Sequence, residues 1–329
     1  MPGFTTHYII GMRAFRDLPE DSALHGILAR NSSVYQLGVQ GPDIFFYNFL
    51  LLRHRKEKNT GILMHEFHIN EFFAALFDAL AAEQEPAKFE LAAAYIAGYM
   101  CHYISDSFIH PYVYGRIGHS PKQRERKLKG QTTSLHCQLE NDIDAILLQR
   151  YHNKKPSEFN QAATFSLKGD ERRFISAFLC AAINQTYYPA RYGNTFSITT
   201  GVVARSIWLM KFGCKTLSDP RASKRRKLQY LERLFRRSSV ASSKLITDDI
   251  SDVRWALNTM HEPWVNPWDR SMVSQESLQE LFQKTLMKLH DCYLLYDRLL
   301  RTHGLDPKAR AALLEELGNH SLHSGLCAG

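Results

Sequence analysis

The sequence predicts an all-α protein on three observations. Apolar residues recur at three- and four-residue spacing over much of the chain, strand-type alternation is scarce, and compact turn signals separate the helical stretches. The first strongly periodic segment spans 66–82. The second, 89–114, is rich in alanine, which loses no side-chain freedom in a helix. Further amphipathic segments cover 135–151, 173–183, 228–235 and 275–300. Between them lie Gln40-Gly41-Pro42-Asp43, Ile117-Gly118-His119-Ser120-Pro121, Lys155-Pro156-Ser157, Ser218-Asp219-Pro220 and Trp264-Val265-Asn266-Pro267, each carrying the Gly, Pro, Asn, Asp or Ser chemistry of a turn. No internal repeat is visible. The expected architecture is a bundle-like helical domain with additional C-terminal helices.

Chain length on a soft prior of ~150 residues per domain allows about two domains. The composition turns basic and small near Asp219-Pro220. This divides a helical domain at 1–218 from a basic segment and C-terminal helices, 219–329, packed on it. The chain is 44% hydrophobic and 22% charged, ordinary for a globular protein and unlike a disordered or collagenous chain. Six scattered cysteines without a C-x-x-C pair argue against a disulfide framework and a thiolate zinc ribbon. The N-terminus has no basic segment followed by an apolar one, and the most apolar run, 44–52, is far below the ~20 residues that span a bilayer. These features predict an intracellular, cytoplasmic protein.

The net charge of +8 is local. Arg221, Lys224, Arg225, Arg226, Lys227, Arg233, Arg236 and Arg237 stand against the single acid Glu232, so that stretch alone carries +7. Such a cluster suits a solvated helix face, or an anionic partner such as a membrane surface or, less readily, a nucleic acid. A second run, Lys122, Arg124, Arg126, Lys127 and Lys129, offers a similar contact.

Histidines and carboxylates carry the chemistry. Ten of the fifteen histidines fall in the first 152 residues. His102, Asp106 and His110 stand at i, i+4 and i+8, fanning over ~80° of one helix face. The pattern H-x3-D-x3-H is expected about 0.03 times in a random chain of this composition. Its ends are ~12 Å apart along the axis, too far for both imidazoles to reach one ion at ~2.0–2.1 Å, so more than one metal is favoured, with Asp106 as the natural bridge. His136 and Glu140, also at i, i+4, can clamp one ion, although H-x3-E is expected about 0.8 times by chance. Upstream, Gly41-Pro42 holds Asp43 at the head of an apolar segment. His65-Glu66-Phe67-His68 is not H-E-x-x-H, which disfavours a zincin. Removal of Met1 would leave Pro2 with a free secondary amine and a carbonyl, five residues before His7, and such an amine can shed its proton to a bound cation near neutrality.

These residues resemble the zinc-dependent phospholipase C family, whose superfamily includes the single-strand-specific zinc nucleases. The likeness covers roughly residues 2–160, and MPGFTTHY with QGPDIFFY is similar to an intracellular bacterial branch. The resemblance implies an all-helical fold holding two or three Zn2+ ions. One would be bound by Asp43, His65, His102 and Asp106, a second by His110, His136 and Glu140, and a third by Pro2, His7 and the bridging Asp106. Pro2 stands where processed secreted members begin with Trp, and choline-pocket residues do not transfer. The implied activity is phosphodiester hydrolysis, foremost of a phospholipid to diacylglycerol and a phosphorylated head group, with Asp43 orienting or deprotonating the water. The alternatives are a nuclease or small-molecule phosphodiesterase on the same centre, in which a base would stack on aromatics such as Phe45, Phe46, Tyr47 or Tyr112, and a metal-stabilised binding protein without turnover. Trp255, Trp264 and Trp268, with Asn266-Pro267, are expected to serve packing, the alternative being a cap over the site.

Overall fold

The computed structural model describes residues 3–48, 59–121, 126–188, 197–235 and 240–328, with 126–129 as backbone only. The chain is all-α. Helices α1 (Phe4–Arg16), α2 (Ala23–Arg30) and α3 (Ser32–Val39) lead into a 3-10 turn, Gly41–Tyr47. Then come α4 (Thr60–Glu66), α5 (Ile69–Ala82), α6 (Pro86–Arg116), α7 (Arg126–His152), α8 (Gln161–Thr164) and α9 (Gly169–Tyr187). The remainder comprises α10 (Thr200–Thr216), α11 (Ser223–Leu234), α12 (Val240–Ser243), α13 (Val253–Leu257), α14 (Leu278–Arg301) and α15 (Pro307–Leu317). Two-residue strands β1 (Trp264–Val265) and β2 (Val273–Ser274) pair antiparallel between α13 and α14. No described helix is long and apolar enough to cross a membrane.

The axis of the molecule is α6, which starts with Pro86 in its first turn, where a missing N–H costs nothing. From Ala92 to Asp106 every residue is buried, so this helix is covered on all sides. The run of Ala92, Ala93, Ala94, Ala97 and Gly98 keeps it thin. At Gly98 an added Cβ would lie 2.2 Å from the Tyr35 carbonyl, and at Gly38 on α3 one would lie 2.3 Å from the Tyr95 carbonyl, so the two backbones meet through glycines. On another side α14 docks by burying Tyr293 and Tyr296, whose hydroxyls donate to the carbonyls of Ala97 (2.9 Å) and Ala93 (3.2 Å). Those bonds satisfy the hydroxyls that make buried tyrosine costly.

The six periodic segments are helical, with α7 starting nine residues before 135 and α14 starting three residues after 275. One is divided: the 66–82 segment contains the end of α4 and the whole of α5. Phe67 is extended (φ −135°, ψ 152°) and His68 takes a left-handed φ of 54°, breaking the helix just after His65. Helices α1–α3 lie outside the segments selected by periodicity. The Trp264-Val265-Asn266-Pro267 turn contributes its first two residues to the small hairpin.

Helix α1 has no side-chain cap of its own, since Gly3 precedes it. Its cap comes from Asp144 on α7, whose carboxylate accepts the N–H groups of Thr5 (3.0 Å) and Thr6 (2.8 Å) and the Thr6 hydroxyl (2.6 Å). This contact fixes His7 against α7. Burial pushes the Asp144 carboxyl up to about 6, outweighing those hydrogen bonds. Since the unfolded value is ~3.9, the folded state holds the extra proton between about pH 4 and 6, and this contribution weakens as pH rises through that window. Asp144→Ala is expected to destabilise by roughly 2–4 kcal/mol near pH 4, with three donors left unmet, and the deficit is expected to shrink by about 2–3 kcal/mol toward pH 7. Urea unfolding of both proteins across that range measures it; a pH-independent difference would contradict the assignment.

Candidate metal centre

Helix α6 supplies the spine of the site. His102, Asp106 and His110 project from successive turns of one face, and all three are completely buried. Asp106 sits at the middle of a ring of imidazoles. Its Oδ2 lies 3.2 Å from His102 Nε2, 3.5 Å from His65 Nε2 and 3.5 Å from His110 Nδ1, while its Oδ1 lies 3.1 Å from His7 Nε2. The break after α4 aims His65 at this point from outside α6.

Asp43 enters through the 3-10 turn, which needs Gly41. That residue has a left-handed φ of 50°, and a Cβ there would lie 2.4 Å from the His102 ring. The turn brings Asp43 Oδ1 to 3.3 Å from His65 Nε2 and 3.9 Å from His102 Nε2. Helix α7 contributes the last pair: His136 Nε2 and Glu140 Oε1 are 2.7 Å apart, and His110 Nε2 lies 4.0 Å from the same oxygen.

Three groups of candidate ligands therefore form: Asp43, His65 and His102; His7, His102 and Asp106; and His110, His136 and Glu140. All eight of these sequence-predicted residues converge, and Pro2 lies outside the described residues. The basic residues Lys122, Arg124, Arg236 and Arg237, the side chains of Arg126, Lys127 and Lys129, and the end of the apolar 44–52 run also lie outside them.

Hydrogen-bond chemistry tests whether the set suits a cation. The Nδ1 atoms of His65, His102 and His110 face the carbonyls of Gly61 (2.6 Å), Val39 (3.2 Å) and Leu322 (2.5 Å). A carbonyl only accepts, so each Nδ1 carries the hydrogen, and each ring in its neutral form presents the lone pair of Nε2 inward. Among the described residues His65 Nε2, His102 Nε2, His110 Nε2, Asp43 Oδ1 and both Asp106 oxygens have no hydrogen-bond partner. Lone pairs facing carboxylate oxygens at these separations repel unless positive charge lies between them. Tetrahedral zinc with bonds of ~2.0–2.1 Å sets its ligand atoms about 3.3 Å apart, within the range seen around Asp106 and Asp43.

The protonation tendencies point the same way. Burial opposes ionisation of Asp106, yet the imidazoles of His110, His102 and His7 hold it well below the usual carboxylate range. Burial lowers His102 and His110 against the pull of Asp106. Burial also opposes protonation of His65, but Asp106 and Asp43 outweigh it and raise that imidazole to about 9, a protonation that marks where positive charge is wanted. Anionic carboxylates and neutral imidazoles are the forms that bind metal.

Comparison with known families follows the same residues: the zinc dependent phospholipase C sequence model matches residues 6–187. The chain belongs to the zinc-dependent phospholipase C family. No curated protein and no solved structure matches it. The family segment contains all eight converging residues, and the buried histidine and aspartate clusters fit zinc.

A second tier of residues lies beyond that segment, and the backbone contacts of its tail, 320–325, have no counterpart in the sequence reading. After α15 the chain folds back along α6, with the His320 N–H donating to the Tyr103 hydroxyl (3.1 Å) and Asn266 Nδ2 donating to the Ser324 carbonyl (2.9 Å). Leu322 is the pivot: its carbonyl receives His110 Nδ1, and its N–H donates to the His65 carbonyl at 2.8 Å. His323 stacks on His65, with ring centroids 5.0 Å apart, and sits 5.7 Å from His110. Backbone groups leave no mark on residue identity, and this irregular tail has no periodicity to read. Tyr114 packs on His136 at 4.6 Å and meets Trp268 edge-on, so Trp268 belongs to the wall beside the site, whereas Trp264 packs against Tyr112 and Trp255 lies under Arg116.

Gly325 tests the tail. It has a φ of 66°, and a Cβ there would stand 2.5 Å from the Ser107 carbonyl, so Gly325→Val must lift the tail off α6. Zinc affinity, measured by competition with a chromophoric chelator, is expected to fall about 10–100-fold, as when other groups that orient metal-bound histidines are lost. Unchanged affinity would show that His65 and His110 do not need these partners.

Proposed function

We propose that this chain is a phosphodiester hydrolase of the phospholipase C type, cleaving a phospholipid to diacylglycerol and a phosphorylated head group. The observation that carries the reading is the assembly of His7, Asp43, His65, His102, Asp106, His110, His136 and Glu140 into three adjoining groups, all but the half-buried His136 and Glu140 fully buried, in a member of the zinc-dependent phospholipase C family.

On this reading Asp43, His65, His102 and Asp106 would hold one zinc ion, His110, His136 and Glu140 a second, and His7 with Asp106 and Pro2 a third. Zinc held there would supply Lewis acidity toward a phosphoryl oxygen and make water at the site more acidic. The chain's own contributions follow from its geometry. Asp43, buried at the head of the site, would use the carboxylate oxygen not turned to His65 and His102 to orient the attacking water and take its proton. Asp106 keeps the imidazoles in register from the centre. Gly61, Val39 and Leu322 fix the ring tautomers through their carbonyls, so no rearrangement is needed during turnover. The Tyr114, His136 and Trp268 wall supports one flank of the site.

A nuclease or small-molecule phosphodiesterase would use the same centre with a base stacked on an exposed aromatic. Of the aromatics singled out in the sequence, Phe45 and Tyr112 are fully buried, while Phe46, against the His65 ring at 5.2 Å, and Tyr47 are half-buried. The family membership favours the phospholipid.

A chelator-controlled screen of the purified protein on phosphatidylcholine, phosphatidylinositol and single-stranded nucleic acid tests the reading. The expected outcome is zinc-dependent release of diacylglycerol from a phospholipid, with two or three zinc ions per chain by elemental analysis. Asp43→Asn is expected to cut turnover by about 100-fold or more. Asp106→Ala or His102→Ala is expected to lower metal content. Full zinc occupancy without turnover of any phosphodiester would instead support a metal-stabilised binding protein, and unchanged metal in both alanine variants would refute the ligand assignment.

A further inference from the structure

Helix α11 turns its apolar side outward. Its inward positions are the buried Glu232 with the half-buried Arg225, Leu228 and Gln229, whereas Tyr230, Leu231 and Leu234, with Phe235 just after the helix, are 68%, 44%, 62% and 66% exposed. At ~100° per residue those four span about 140° of the outer face. Lys227 lies at the middle of that stripe, with Lys224, Arg226 and Arg233 around it. A shallow hollow of about 450 Å³ is lined by Arg226, Lys227, Tyr230 and Leu231.

The charge on this face is left unbalanced by the way its acids are used. Glu232 faces inward, its Oε1 accepting the N–H groups of Ala241 (2.9 Å) and Ser242 (3.3 Å) at the start of α12. Asp219 accepts the Arg225 N–H at 2.7 Å and the Ser223 hydroxyl at 3.2 Å. Lys224 donates to the carbonyls of Thr216 and Ser218, and Arg226 to that of Arg221. Among the described residues, Arg226, Lys227 and Arg233 have no carboxylate partner.

We propose that α11 is an interfacial docking helix for an anionic phospholipid bilayer. Arg226, Lys227 and Arg233 meet head-group phosphates, while Tyr230, Leu231, Leu234 and Phe235 sink to the acyl boundary. Pairing with a second copy would press like charges together, and a nucleic acid would leave Leu231 and Leu234 in water; an anionic lipid surface satisfies both the cations and the aliphatic stripe. The helix also stands near the candidate centre: α11 packs on α12, α12 packs on α7, and Asn141 Nδ2, one residue after Glu140, donates to the Ser243 carbonyl at 2.9 Å. This inference deepens the phospholipid reading and rests on it only for the purpose of docking, since binding is measurable without turnover.

Co-sedimentation of the full-length protein with vesicles of phosphatidylcholine, alone or mixed with phosphatidylglycerol, tests the proposal. Binding is expected only to the mixed vesicles and is expected to fall with added salt. Replacing Arg226, Lys227 and Arg233 together by Gln is expected to weaken it about 100-fold, and Leu231→Ser with Leu234→Ser about 10-fold or more. These positions are exposed, so zinc content and far-UV circular dichroism are expected to match the wild type, as is hydrolysis of a soluble short-chain phospholipid. Equal binding to neutral vesicles, undiminished binding by both variants, tighter binding to a single-stranded oligonucleotide, or self-association through α11 without vesicle binding would each overturn it. Vesicle binding without turnover of any phospholipid would overturn the hydrolase reading and leave the docking helix standing; turnover without binding would do the reverse.

Discussion

A buried carboxylate with no hydrogen-bond donor of its own is the constraint around which this protein is arranged. Asp106 is completely buried, neither oxygen has a hydrogen-bond partner among the described residues, and its surroundings hold it ionised. Removing such a charge from water costs several kcal/mol even after relaxation, so its presence requires compensating positive charge. Imidazoles with Nδ1 as donor provide that charge only when Nε2 is protonated as well, which Asp43 and Asp106 favour at His65 but burial opposes at His102 and His110. Divalent cations between the members would supply the charge to the whole cluster, with the imidazoles neutral.

The scaffold makes such crowding possible. Four elements besides α6 bring in candidate ligands, α7 carrying His136 and Glu140, and the other three are each placed by an identifiable device. Gly41 lets the backbone pass beneath His102, the left-handed His68 ends the turn that carries His65, and Asp144 caps α1 so that His7 sits one turn inside a fixed helix end. The glycine contact between α3 and α6 sets the height of the Val39 carbonyl that holds His102. The small residues along α6 thus control ligand geometry as well as packing.

Much of this was legible from side chains alone. The i, i+4, i+8 placement of His102, Asp106 and His110 is a rare pattern that survives any small error in helix boundaries, and Asp43 was marked by the Gly-Pro turn before it. What escaped detection was of another kind. The 66–82 segment reads as one helix because Phe67 and His68 interrupt neither periodicity nor composition; the break rests on backbone angles that tertiary packing selects. Asp144 carries no motif because its partners, Thr5 and Thr6, lie nearly 140 residues away. Leu322 acts through its amide and carbonyl, a role any residue but proline could fill. Short-range pattern reports side-chain direction well and long-range backbone contacts hardly at all.

The division between these tiers bears on how such a centre is tuned. The family segment, 6–187, carries every described candidate ligand, but two of the histidines take backbone partners from the last ten residues of the chain, outside that segment. Ligand identity sets which ions bind, whereas the hydrogen bonds behind the ligands set ring orientation and basicity. A tail that grips His110 through one peptide group and His65 through the same residue couples the two histidines mechanically, one facing Asp43 and Asp106, the other Glu140. Any displacement of Leu322 must therefore disturb both parts of the cluster together. The C-terminal segment thereby ties candidate ligands supplied by separate helices to a single residue.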